Sequence, residues 1–471
     1  MIESNGDYTS TAEAQLEQTI GGPLYEKQHT LPLLPVPDLQ KNNTVSKLLD
    51  TALPLVESEE ELHNLLRAAK SFEEDSVVLQ TRLLKRREEA SNSKTSWLAL
   101  WWNQMGYLQV RDPIVINVSY FFHLSDDGTL LPAQQQQQQT QSHSLGVMRG
   151  AAALVACAEV RKEVCSGTMP HEALGSRNNK NNKSSSTPLC SVPYKYMFHA
   201  CRIPRLGQDG YRIYDPSLYT HCIVARKGRF FRVDFVNEVT QEPLPLHIIE
   251  DQLQQCVEMA DMNCNCNYNL QLGWLTSGNR DDWAHAREAL LLAGGEKMQK
   301  ALEDLESGAL LLCLDDEEPE SRRQCGNVFW HGGHASSGGN RWFDKSVQIF
   351  ATNNGKLGIM GEHSMMDGMP MIQLADRVAS MSYAHAHAKK RSVYGGDGRV
   401  SVSELLKSNS GGRAPVDIFG AWAQELQKGY HGDVVSNLTS KGACVLLSYF
   451  TRYLIMPSLI NWIVTFFESV I

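Results

Sequence analysis

Apolar residues recur at helical spacing early in the chain and alternate at strand spacing later. Leucines follow the helical period through SKLLDTALPLV, and Ser58 with Glu61 forms a capping box ahead of LHNLLRAAKSF. Two apolar runs at 222–225 and 230–235 flank a Lys-Gly pair, which predicts a β-hairpin. The order of these patterns predicts an α/β sandwich.

A second hairpin is predicted further on, with strands at 347–352 and 357–361 and a turn at 353–356. His363 follows its return strand, at the kind of position where α/β folds often place catalytic groups. Upstream, SGNRDDWAHAREALLL predicts a helix with Asp281 and Asp282 near its N-terminal end.

Three tryptophans lie between the early helices and the first hairpin. Trp97, Trp101 and Trp102 are spaced i, i+4 and i+5, which places them on one face of an α-helix, with Tyr107 further round. Two interpretations follow, a buried aromatic stripe and a ligand site. The spacing alone favours the buried stripe.

Four segments differ from the rest in composition. We expect a disordered lead at 1–23, surface insertions at 133–143 and 176–187, and a divergent apolar tail at 431–471. The tail is uninterrupted for about 15 residues after Arg452, short of the roughly 20 that span a bilayer. We expect a truncated or misread chain end there, and membrane contact stays the alternative.

Charge and cysteine content narrow the class of protein. The net charge of -9 and pI near 5.9 argue against a nucleic-acid binder, which would show a basic face. Eleven cysteines, an odd count, and the absence of a secretory signal favour a reducing, intracellular compartment, either the cytoplasm or an organelle without a recognisable address.

A metal site is the alternative use of several side chains. His331 and His334 lie together in a glycine-rich stretch, His385 and His387 lie two residues apart, and so do two cysteines, Cys264 and Cys266. None has the paired spacing of a zinc site, so we expect no metal.

The stretch GIMGEHSMMDGMP contains an H-x-x-x-D-G motif formed by His363, Asp367 and Gly368. A histidine can take a proton from a hydroxyl and so let the oxygen attack a thioester. We expect Asp367 to hold the loop by pairing with an arginine, and Gly368 to give the loop its turn. Taken alone, such a motif is more often structural.

Five segments in order resemble the carnitine/choline O-acyltransferases, closest to the carnitine acetyltransferase type, over residues 25 to about 376. The motif itself is shared with chloramphenicol-acetyltransferase-like acyltransferases. A colinear match of this extent is specific. The segments are YEKQHTLPLLPVPDLQ, SWLALWWNQMGYLQVRDPIVINVSYFF, YKYMFHACRIPRLGQD, GWLTSGNRDDWAHAR and NRWFDKSVQIF…GIMGEHSMMDGMP.

The resemblance implies a chloramphenicol-acetyltransferase-like β-sheet flanked by helices, and direct acyl transfer between coenzyme A and carnitine (or choline) without an acyl-enzyme. It implies that His363 is the general base and that Asp367 is the acidic position after it. Trp102 and Tyr107 match aromatic positions near the carnitine site, with the Tyr107 hydroxyl a partner for the carboxylate. Residues 341–344 match a packing signature. Acyl-CoA would be a co-substrate, with no tightly bound cofactor, and the protein would be a monomer.

The resemblance fades after His387. The family's lysine segment for the CoA phosphates and its carnitine-carboxylate strand have no counterpart, so no CoA-binding residue is assigned. We expect 24–430 to form the N-terminal lobe, with the second lobe apparently truncated. The alternative function is therefore a catalytically inactive lobe that acts as an interaction protein. Acyl-chain length and the choice between carnitine and choline stay open.

Overall fold

A computed structural model describes residues 21–39, 44–92, 95–130, 143–174, 187–262, 272–333, 338–364, 366–393, 412–420 and 422. Of the predicted lead and the two predicted insertions, only 21–23, His143 and Thr187 fall within these ranges. The predicted apolar tail, and with it our expectation of a truncated end, lies outside the described residues. So do His334, Cys264 and Cys266.

A mixed seven-stranded sheet organises the described chain in the order β1-β10-β9-β8-β6-β7-β11. Strands β8, β9 and β6 pair in parallel, and the remaining neighbours are antiparallel. Two further pairs, β2 with β3 and β4 with β5, stand apart from it. The strands are β1 Tyr120–His123, β2 Ala173–Leu174, β3 Thr187–Pro188, β4 Ala200–Ile203, β5 Gly210–Ile213, β6 His221–Arg226, β7 Arg229–Asp234, β8 Leu311–Asp315, β9 Val347–Thr352, β10 Leu357–Gly361 and β11 Val416–Asp417.

Helices precede the sheet in sequence and then cover both of its faces. Ser58 caps α2 by accepting the backbone N–H of Glu61, the capping contact expected from the sequence. The helices are α1 Thr44–Ala52, α2 Glu59–Asp75, α3 Val77–Asn92, α4 Ala99–Trp101, α5 Ile114–Asn117, α6 Leu145–Cys165, α7 Leu246–Met262, α8 Arg280–Ser307, α9 Arg322–His331, α10 Gly368–Ser380 and α11 Tyr383–Val393.

Alternation along the strands divides the interior into two cores. In β8, Leu312 belongs to the core that also contains α6, α7 and α10, whereas Leu311 and Cys313 belong to the core that contains α8 and α9. Successive strand side chains point to opposite faces, so this sheet is buried on both sides. The mixed α/β fold, a central sheet flanked by helices, is confirmed.

Both predicted hairpins are confirmed. The strands predicted at 347–352 and 357–361 have those bounds. In the first hairpin, three strand ends extend one residue beyond the prediction, and the last strand ends one residue before it, at Asp234. Helix α8 begins at Arg280 with both aspartates in its first turn, and it bends at Gly295. Local periodicity therefore located the strands that lead to His363.

Gly273 lies where two backbone segments meet. A Cβ atom there would stand 2.3 Å from the carbonyl oxygens of Arg341 and Gly339. These are backbone atoms, so they cannot move aside without shifting a whole segment. We expect Gly273→Ala to lower the free energy of unfolding by about 1–3 kcal/mol, the usual cost of overpacking. Urea unfolding measures it. Gly128→Ala, where a Cβ meets nothing within 4 Å, is the control, and equal stability of the two variants would contradict the prediction.

Candidate active site

His363 lies two residues beyond the end of β10, in the position that the hairpin predicted. Strand β1 pairs with β10 so that Tyr120 stands opposite Gly361. A Cβ on Gly361 would lie 2.9 Å from Cζ and from the hydroxyl oxygen of Tyr120, so a larger residue at this position would displace that ring. The Tyr120 ring then meets the His363 ring edge-on, with the ring centroids 4.9 Å apart.

Tyr107 holds the other side of the imidazole. It lies in a π-helical segment, Trp102–Leu108, which continues directly from α4. Its ring stacks on His363 with 5.5 Å between centroids, and its hydroxyl oxygen lies 3.0 Å from Nδ1. Because that hydroxyl occupies Nδ1, the nitrogen left for chemistry is Nε2.

Among the residues that the structure describes, no arginine pairs with Asp367, so the expectation of an arginine partner is wrong. The Asp367 carboxylate caps α10 by accepting the backbone N–H of Gly368, and its Oδ1 atom lies 3.9 Å from Nε2 of His363. A free helix N-terminus supplies the donor that we expected from a guanidinium. Gly368 is the first residue of that helix, with open space around it, so the turn does not depend on its being glycine.

The buried aromatic stripe is also wrong. Trp97 is buried, but Trp101 and Trp102 are 39% and 58% exposed. The prediction assumed α-helical spacing, whereas the segment from Trp102 forms π-helical bonds, such as Gln109 N–H to the Gln104 carbonyl. Trp102 instead stands edge-on to Tyr107, with 6.3 Å between ring centroids, and Tyr107 in turn stacks on His363.

Electrostatics keep the two phenols neutral. Burial raises the pKa of Tyr107; an interaction with the Trp102 indole opposes this, and the carboxylates of Asp367 and Glu362 add to it. Burial also raises the pKa of Tyr120 far above its usual value. Both hydroxyls are therefore protonated near pH 7, able to donate one hydrogen bond each.

Four residues of the site were missed by the sequence reasoning. Tyr120 packs against the imidazole, and Glu362 and Ser364 flank it in the chain. Arg202, on β4, donates to the Glu362 carboxylate over 3.1 Å although 160 residues separate them. Strand pairing and burial bring these groups together, and no local pattern marks them.

The signature at 341–344 belongs to the interior of the fold. All four residues are buried. Arg341 pairs with Asp315 on β8, and Asp344 accepts from Arg280 and from the Trp283 indole. These contacts join the sheet to α8, the packing role that the resemblance implied.

The described part of the chain contains neither a metal-binding cluster nor a membrane-spanning helix. Within it, no group of three or more His, Cys, Asp or Glu side chains is placed to hold a metal ion. Among the helices so described, none combines the length and the apolar character needed to cross a bilayer.

Comparison with known proteins identifies the family. The sequence model of the choline/carnitine O-acyltransferases matches residues 34–406, most of the chain. This protein therefore belongs to the choline/carnitine O-acyltransferase family. The match includes every site residue described above.

Several curated relatives are similar over the same region. The mitochondrial carnitine O-acetyltransferase of Saccharomyces cerevisiae is 29% identical over 76% of this chain and 49% of its own length. The rat carnitine O-acetyltransferase is 29% identical over 76% of this chain and 54% of its own. The human muscle carnitine O-palmitoyltransferase 1 is 30% identical over 73% and 40%. The chain thus spans about half the length of these relatives.

Among solved structures, a chloramphenicol acetyltransferase covers 59% of this chain and 91% of its own, with 14% identity and a TM-score of 0.24. A score this low carries no argument about the fold. The fold assignment rests on the sheet and helices themselves.

Proposed function

We propose that this protein is an O-acyltransferase that moves an acyl group between coenzyme A and the hydroxyl of carnitine, with His363 as general base. The observation that carries the proposal is the imidazole itself. Its Nδ1 is engaged by Tyr107, and its ring is one-third exposed between two aromatic side chains. Family membership supplies the substrate classes.

The proposed step is a direct transfer. Nε2 of His363 takes the proton of the acceptor hydroxyl as its oxygen attacks the thioester carbonyl carbon. The carbon–sulfur bond then breaks, and the CoA thiolate leaves and receives that proton from Nε2. The protein forms no covalent bond, and the imidazole returns to its neutral form.

Asp367 places a carboxylate beside the base. Its Oδ1 atom lies 3.9 Å from Nε2, too far for a hydrogen bond. The Asp367 side chain is 77% exposed, so solvent screens most of its attraction for a charge formed on the imidazole during the reaction. Its second role, capping α10, is structural.

Trp102 and Tyr107 would hold the acceptor. Carnitine carries a quaternary ammonium, and an exposed indole face such as that of Trp102 attracts such cations. If Nδ1–H of His363 donates to the Tyr107 oxygen, the phenol keeps its own proton for the acceptor's carboxylate. One hydroxyl then serves both the base and the substrate.

A second candidate is an inactive lobe that works through protein contacts. Apolar side chains on the π-helical segment that contains Tyr107 are exposed, among them Met105 at 66% and Trp102 at 58%. Exposed apolar surface of this kind also suits a protein partner. Turnover separates the two candidates.

The experiment measures coenzyme A thiol release from acetyl-, octanoyl- and palmitoyl-CoA, with carnitine, choline or no acceptor. We expect release that depends on carnitine and exceeds that with choline, and acylcarnitine detected by mass spectrometry. Release no faster than without acceptor, for all three thioesters, would contradict the proposal for this chain and favour the inactive lobe.

A further inference from the structure

A buried arginine, Arg202, contacts both the segment that carries Tyr107 and the segment that carries His363. We infer that Arg202 is a positioning residue that fixes the hydroxyl of Tyr107 against Nδ1 of His363. Its catalytic consequence rests on the proposed function, whereas its effect on the imidazole can be measured without turnover.

One guanidinium joins the two segments that carry the pair. Nη2 of Arg202 donates to the backbone carbonyl of Tyr107 over 2.9 Å. Nη1 donates to Oε1 of Glu362, the residue before His363, over 3.1 Å. The Arg202 and Glu362 side chains are both fully buried. The guanidinium is planar and rigid, so these two bonds fix the distance between the segments.

Glu362 passes this constraint to the imidazole. Its Oε2 atom accepts the backbone N–H of Ser364 over 3.2 Å and also the Ser364 hydroxyl. Its own backbone N–H donates to the Ser346 carbonyl over 3.1 Å. His363 therefore lies between two residues tied to one carboxylate, which restricts its backbone on both sides.

Asp209 fixes the remaining edge of the guanidinium. Its Oδ2 atom accepts from Nε of Arg202 over 2.7 Å, and its backbone N–H donates to the Leu108 carbonyl over 2.9 Å. Leu108 ends the π-helical segment that contains Tyr107. Arg202 is thus linked to that segment twice, once directly and once through Asp209.

Stability alone is a weak reason for such a cluster. Burying charged groups costs desolvation free energy that their mutual attraction barely offsets. Well-packed apolar side chains of similar volume often stabilise a fold at least equally. What a fixed set of directed bonds adds is geometry. Here that geometry sets the contact between the Tyr107 hydroxyl and Nδ1 of His363. This contact leaves Nε2 available to take a proton.

The first test records the ring nitrogen NMR shifts of His363, assigned by their loss in His363→Gln. We expect the wild type to hold the proton on Nδ1. In Tyr107→Phe and in Arg202→Lys, we expect a mixture of the two tautomers, because a lysine ammonium cannot reach both partners in a fixed plane. Arg341→Lys is the matched control, since it weakens an equally buried ion pair, with Asp315, elsewhere in the fold.

The control decides between positioning and packing. If Arg202→Lys and Arg341→Lys lower the stability similarly but neither changes the His363 shifts, the inference is overturned. Glu362→Gln is the second variant, for the case that Arg202→Lys does not fold. Glutamine keeps the volume of the Glu362 side chain but loses one of its two acceptor oxygens. We expect the His363 shifts in Glu362→Gln to move in the same direction as in Arg202→Lys. Unchanged shifts would contradict the inference.

The second test uses turnover. We expect Arg202→Lys to lower kcat about 10-fold, with KM for acyl-CoA within about twofold of wild type. In kcat at saturating carnitine, adding Tyr107→Phe should cost little more, because both changes break the same contact with His363; the loss of the phenol from the acceptor site should appear in KM for carnitine. Full additivity of the two losses would overturn the inference. A wild type without turnover would refute the proposed function and leave the NMR test to decide the role of Arg202.

Discussion

His363→Gln is expected to lower kcat by about 10²–10⁴-fold, with little change in KM for either substrate. Glutamine has nearly the length of histidine, and its amide nitrogen can occupy the region of Nε2. An amide nitrogen cannot accept a proton at neutral pH, so the acceptor hydroxyl would have to attack without a base. Initial rates of CoA thiol release at saturating carnitine measure the effect.

The matched control is His385→Gln. This histidine lies on α11 and is exposed to solvent, so its removal should leave kcat within about twofold of wild type. The prediction fails if His363→Gln retains more than about a tenth of the wild-type kcat. The acyl transfer would then proceed without His363 as base. The role of His363 would instead be structural, in packing with Tyr107 and Tyr120.

The sequence predicted the local part of this site. A strand has a side-chain period of two, so the hairpin that ends at Gly361 could be located from residue types alone, and His363 with it. The aromatic residues Trp102 and Tyr107 came from the resemblance to the family. The structure brings Tyr107 into contact with His363 and places Trp102 beside Tyr107.

The remaining part depends on contacts between distant segments. Arg202 and Glu362 meet because β4 and the end of β10 are brought together, and nothing near either residue in sequence indicates the pairing. The expectation for Asp367 failed for a related reason. A carboxylate at the start of a helix finds its donor in the adjacent backbone, and the loop alone did not show where α10 begins.

The buried ion pairs of Arg280 also depend on contacts between distant segments. Arg280, at the start of α8, donates to Asp209 from Nε over 2.7 Å and to Asp344 from Nη2 over 2.6 Å. Both carboxylates are buried, and the Arg280 side chain is fully so. A sequence shows only that the helix begins with a charged cluster. The structure shows that one cation joins the helix to two separate segments.

Arg280→Met is therefore expected to lower the free energy of unfolding by about 3–5 kcal/mol, the usual cost of breaking a buried ion pair from one side. Asp209 keeps Arg202 and Arg111 as partners, whereas the Asp344 carboxylate keeps, among the described residues, the Trp283 indole as its remaining donor. The destabilisation thus comes mainly from an uncompensated carboxylate on Asp344. Urea unfolding at pH 7.5 measures it.

The double variant Arg280→Met/Asp344→Asn tests that cause. Removing both charges should recover about 1–3 kcal/mol relative to the sum of the single variants.

The stability of Arg280→Met should depend on pH with a definite sign. Burial already raises the pKa of Asp344 to about 6 in the wild type, so the folded state binds its proton before the unfolded state does. Without Arg280 this preference grows, and the stability of Arg280→Met relative to the double variant should rise as the pH falls from 7.5 to 5.5. A difference independent of pH would show that the loss comes from packing around the arginine stem rather than from the charge on Asp344.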